Sequence, residues 1–145
     1  MVRHRLVHIA LLYFTLTALS GVWLRLYVFS DTVQVTDYNY LLHGHSHIAV
    51  LGWTFFAAFA LISVLLGKET KKVVTYLTIL LLFVTIPMFI AFLMQGYALY
   101  SIIFSTLHIF VQYMVAYFIV RIVRKNREIP PSSRSFIYGS IVMLI

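Results

Sequence analysis

Four apolar runs, each long enough to cross a lipid bilayer, leave this chain few folds to choose from. They cover residues 6–29, 41–66, 73–94 and 99–123. Each reaches the roughly 20 residues needed to span a hydrocarbon core of about 30 Å at 1.5 Å per residue. Lipid offers no partner to an unpaired backbone group, so such runs are helices. The expected fold is all-α, one polytopic transmembrane bundle over residues 1–145. Pro87 falls inside the third run, where its missing N–H predicts a kink.

A fifth apolar run, residues 135–145, follows Pro130 and Pro131. As a helix it covers about 16 Å, roughly half a bilayer. It reads as an incomplete fifth span, the chain being the front of a longer polytopic protein; the alternative is an interfacial or re-entrant tail. The first run carries Arg3 and Arg5 ahead of it and "ALS" before Gly21. It then continues apolar through "GVWLRLYVF", which favours a retained span over a cleaved signal peptide.

Charge placement decides what the basic balance means. The net charge is +7, but only 10% of residues are charged and 62% are hydrophobic. Ten of the eleven Lys and Arg flank the ends of the spans on one side. They lie before residue 6, in "GKETKK" and in "RIVRKNREIPPSSR"; "SDTVQVTDYNY" and "QGYA" contain none. This is a topology signal rather than a nucleic-acid footprint, and it places the N-terminus in the cytoplasm. The expected location is a bacterial cytoplasmic membrane, with the lipid bilayer as the principal partner. The chain has no cysteine, which excludes thiolate metal sites and iron–sulfur clusters.

Against this apolar background the histidines stand out. His43, His45 and His47 open the second span in "LLHGHSHIAVLGW", at the outer face. His43 and His47 are four apart and share a helical face, whereas His45 points about 160° away. Ala49, Gly52 and Phe56 continue the His45 face inward, and the small residues there let a helix or a flat cofactor approach. His108 lies deep in the fourth span, where an ionisable side chain faces the bundle interior and marks a candidate site. Ser105, one turn before it, is positioned to orient its ring. Arg25, the remaining basic residue, sits one turn inside the first span on the histidine side. It either snorkels to the interface or pairs with an acidic group such as a haem propionate. His4 and His8, at the basic end, read as interfacial anchors.

Two imidazoles on facing helices, with aromatics and an arginine nearby, match a bis-histidine haem site. His45 and His108 are the candidate axial ligands. A second possibility is a non-haem copper or zinc site at the outer face, held by His43 and His47 with Asp37. A third is a non-catalytic subunit or assembly protein whose histidines are polar packing.

"DYNYLLHGHSHIAVLGW" resembles the second transmembrane helix of haem-copper oxidase subunit I and its nitric oxide reductase relatives. That family often carries Tyr-Asn seven residues ahead of a low-spin haem ligand; Tyr38 and Asn39 stand so before His45. "HSHIAVLG" also resembles small four-helix membrane proteins with His-x-His followed by Leu-Gly, which often have a histidine in the fourth span, as His108 is here. The resemblance covers mainly spans one and two. It implies a b-type haem, electron transfer, and other respiratory subunits or electron carriers as partners. The family's second low-spin ligand and its copper and high-spin haem histidines come from helices that would follow Ile145. The oxygen-reducing reaction is therefore not assigned to these residues. Reporter fusions at Val35 and Glu69 are expected to report opposite sides of the membrane; the same side for both would remove the four-span topology.

Overall fold

The apolar runs can satisfy their backbones only as helices, and the computed structural model of the chain is built from helices throughout its described residues. These are residues 2–29, 36–66, 70–126 and 129–144. The elements are α1 (Val2–Tyr27), α2 (Tyr38–His47), a π-helical segment (Ile48–Thr54), α3 (Phe55–Leu65), α4 (Lys71–Gln95), α5 (Leu99–Lys125) and α6 (Pro131–Leu144). Four stretches are long and apolar enough to cross a membrane: His4–Tyr27, Tyr38–Val64, Lys71–Gln95 and Leu99–Lys125. The all-α bundle is thus present. The second span begins at Tyr38, three residues ahead of the apolar run, because the Asp37 carboxylate caps it. Asp37 accepts from the backbone N–H of Asn39 at 2.8 Å and of Tyr40 at 3.4 Å.

α1 packs along the π segment and α3, α2 lies against α4, and α4 runs beside α5. Tyr13 of α1 stacks on Phe56 of α3 with ring centroids 5.1 Å apart. Around that pair the buried core takes in Leu6, Ala10, Phe59, Leu81, Val84 and Val115. Small residues set how closely the helices approach. A Cβ at Gly52 would sit 3.0 Å from the Tyr13 ring, and one at Gly44 would sit 3.2 Å from Leu93 of α4. The face expected to admit either a helix or a flat cofactor at Gly52 is filled by α1. Outward, large side chains such as Leu12, Leu61, Phe83 and Phe110 remain exposed, as suits contact with acyl chains.

The ends are closed by polar ties. Thr36 donates its hydroxyl proton to the Leu93 carbonyl at 2.6 Å, and Tyr27 donates to the Thr36 carbonyl at 3.0 Å. At the basic end Arg134 donates to the carbonyls of Asn126 at 2.8 Å and Ile129 at 3.0 Å. This holds α6 to the end of α5. α6 begins at Pro131, before the apolar run, and rests Ile137 against the bundle. Pro87 lies within α4, which is helical on both sides of it. The reporter positions Val35 and Glu69 lie outside the described residues.

Replacing Gly52 with Leu is expected to lower unfolding stability in detergent by about 1–3 kcal/mol, the usual cost of overpacking. Gly139→Ala, where an added Cβ meets nothing within 4 Å, should leave the unfolding midpoint unchanged or raise it slightly.

Candidate functional site

Three histidines of the candidate set, His45, His47 and His108, have a ring nitrogen paired by a neighbour. Ser20 of α1 lies 2.9 Å from His45 Nδ1, and its own hydroxyl proton goes to the Thr17 carbonyl at 2.9 Å. Ser20 Oγ therefore accepts, and His45 Nδ1 donates. The Nε2 nitrogen of His45 keeps its lone pair. His45 packs over Gly21, whose added Cβ would lie 3.2 Å from the imidazole.

His47 faces the other way, onto the C-terminal end of α4. Its ring lies over Phe92 with centroids 4.1 Å apart. Its Nδ1 is 3.0 Å from the His43 carbonyl, which can only accept, so Nδ1 again carries the proton. Tyr97 then donates its hydroxyl proton to His47 Nε2 at 3.2 Å. His43 stands edge-on to the same tyrosine, with centroids 4.5 Å apart. The expected opposition of His45 to the His43/His47 pair holds: one side meets α1, the other α4 and the Tyr97 turn.

His108 is fully buried in α5. Its Nε2 lies 3.0 Å from Thr85 Oγ1 of α4, and Thr85 spends its proton on the Leu81 carbonyl at 2.7 Å. Nε2 is thus the donor, and the Nδ1 lone pair is left enclosed without a partner. Thr85 rather than Ser105 orients this ring, because Ser105 donates back to the Ile102 carbonyl at 3.0 Å. The Tyr13 hydroxyl points toward Thr85 without closing a hydrogen bond. Phe55 meets the imidazole edge-on at 6.1 Å.

Two groupings emerge. His45 and Arg25 line one open groove between α1 and α2, of ≈ 590 Å³, with Gly21, Leu24, Tyr38 and Leu42 among its walls. His43, His47 and Tyr97 form the second, at the same end of the bundle. His108 joins neither. The polar and ring partners of His45 and of His108 have no member in common. On α1 their levels are marked by Ser20 and Tyr13, seven residues or about 10 Å apart along the helix.

Among the described residues no three His, Cys, Asp or Glu side chains converge on a metal-sized space. Asp37, the third donor expected beside His43 and His47, is turned to the α2 N-terminus. His4 and His8 are exposed at the basic end. The sequence reading did not identify Ser20, Thr85 or Tyr97. Ser20 and Thr85 look like routine small polar residues inside apolar runs, and Tyr97 is one aromatic among many.

Comparison with protein-family models, with curated proteins and with solved structures returns no match.

Thr85→Val is expected to destabilise the bundle by about 1–3 kcal/mol, since it strands the buried His108 N–H. Thr85→Ser, which keeps the acceptor, should unfold at the wild-type midpoint within error. An equal loss from both would place the effect in packing.

Proposed function

We propose that this chain is an integral membrane haem-binding protein of electron-transfer type, in which His45 is one axial ligand and Arg25 holds a propionate. The observation that carries the reading is the groove shared by His45 and Arg25. It places an imidazole, a guanidinium and apolar walls on one open surface. The imidazole is prepared for ligation: Ser20 fixes Nδ1–H and leaves Nε2 available, the arrangement by which a second polar group orients a metal-bound histidine. Arg25 is the only basic side chain on that side of the sequence, so a ligand carboxylate there finds one strong cationic partner.

In this reading His45 would hold the iron and Arg25 a carboxylate of the porphyrin. When bound, haem supplies one-electron transfer. The chain's own contribution is to orient the ligand, neutralise carboxylate charge and cover one face with Leu24, Leu42 and Tyr38. The likeness to the oxidase second helix supports the same residue, His45. His108 enters this reading only if the bundle opens, because its available nitrogen is enclosed. Respiratory subunits or electron carriers as partners, a bacterial cytoplasmic membrane and a cytoplasmic N-terminus belong to the same proposal.

The test is a reduced-minus-oxidised optical spectrum of the purified protein after haem loading. His45→Ala should abolish the haem bands, and Arg25→Gln should weaken haem retention while keeping them. His4→Ala should change nothing. Unaltered bands in His45→Ala would overturn the assignment. Loss of the bands in His108→Ala, with the fold intact, would make His108 the second ligand.

A further inference from the structure

The second histidine grouping does not take part in the haem reading. His43 and His47 are one turn apart on α2, and the phenol of Tyr97 stands against both rings. Tyr97 sits in the tight turn that joins α4 to α5. Ser101 accepts from the Ala98 N–H at 2.9 Å and donates to the Gly96 carbonyl, so the turn is pinned from both sides. Gly96 has φ +59°, and an added Cβ there would run into the Tyr40 ring. The tyrosine is thus presented on a fixed backbone at the open end of the bundle, with its ring exposed and the two imidazoles half-buried.

The geometry points to a divalent transition-metal site formed by His43, His47 and Tyr97, with copper(II) as the ion it suits best. Three observations support it. First, His47 Nδ1–H is held by the His43 carbonyl, which directs the lone pair of Nε2 at the Tyr97 oxygen. Second, that nitrogen and oxygen are 3.2 Å apart. Two donors bound at about 2.0–2.1 Å to one ion, at angles between square-planar and tetrahedral, are separated by about 2.9–3.4 Å. Third, the remaining imidazole, His43, is already in contact with the same phenol and reaches the ion by a side-chain rotation.

The proton balance is simple. The neutral imidazoles offer lone pairs, and the Tyr97 O–H proton, now shared with His47, leaves to solvent as the metal–phenolate bond forms. No change of oxidation state is involved. Two nitrogens and an anionic oxygen suit copper(II) above zinc in intrinsic affinity. The site does not rest on the haem reading, since it uses none of the same side chains.

The test uses the full chain in detergent, stripped with a chelator, free of haem, and titrated with copper(II) alone. One copper per chain is expected, with a visible phenolate-to-copper charge-transfer band and nitrogen hyperfine structure in the electron paramagnetic resonance spectrum. Tyr97→Phe keeps the ring packing and should remove the band while weakening binding at least tenfold. His47→Ala should lose both, while His45→Ala and the His4→Ala/His8→Ala pair should lose neither. Copper binding without the band, or a band that survives Tyr97→Phe, would refute the site. Because His45→Ala leaves copper binding intact and removes haem, failure of one reading is separable from failure of the other.

Discussion

A polar group inside a lipid-embedded bundle must find its partner within the protein, and that constraint organises the interior of this chain. It is why Ser20, Thr78 and Thr85 return their hydroxyl protons to carbonyls one turn back on their own helices. Once Ser20 and Thr85 have done so, their oxygens can only accept. The histidines opposite them must then donate, and the nitrogen that keeps a lone pair is decided. Two hydroxyls that look incidental thus set the tautomers of His45 and His108.

The same constraint separates the histidines by environment. His45 lines an open groove beside Arg25, whereas His108 is enclosed among helices. His47 has its Nε2 nitrogen occupied by the Tyr97 phenol proton. Three imidazoles therefore have three different surroundings, and the differences come from what each ring faces. Helix spacing separates His45 from His43 and His47. It does not say that α1 brings a serine and α4 a phenylalanine and the Tyr97 turn.

The π segment lies between the histidine cluster and the core. Over Ile48–Thr54 the helix widens, and the Thr54 hydroxyl donates to the Ala49 carbonyl five residues back at 2.9 Å. π-helical turns recur beside functional sites because they change the aim of the residues that follow. Here the segment buries Ile48 and Gly52 and brings Gly52 against Tyr13, below the level at which His45 meets Ser20. Nothing in "IAVLGWT" announces it. An α-helical and a π-helical reading of seven apolar residues have the same hydropathy, and the choice depends on how closely α1 can approach.

The sequence alone determined that this chain is a helical bundle with four spans, because hydrophobic length and the cost of unpaired backbone admit little else. It also determined the two faces of the histidine cluster, since positions four apart on a helix share a side and those two apart do not. The tertiary structure decided which helix each face meets. It put Asp37 on a helix N-terminus instead of beside His43 and His47, and it set Tyr97, fifty residues from His47, against both of those rings. It also gave His45 and His108 separate partners, Ser20 of α1 for one and Thr85 of α4 for the other. Such partners depend on how helices slide and turn against one another. Side-chain packing fixes that offset, through contacts such as Gly52 on Tyr13 and Gly44 on Leu93, which hydropathy along one chain does not encode.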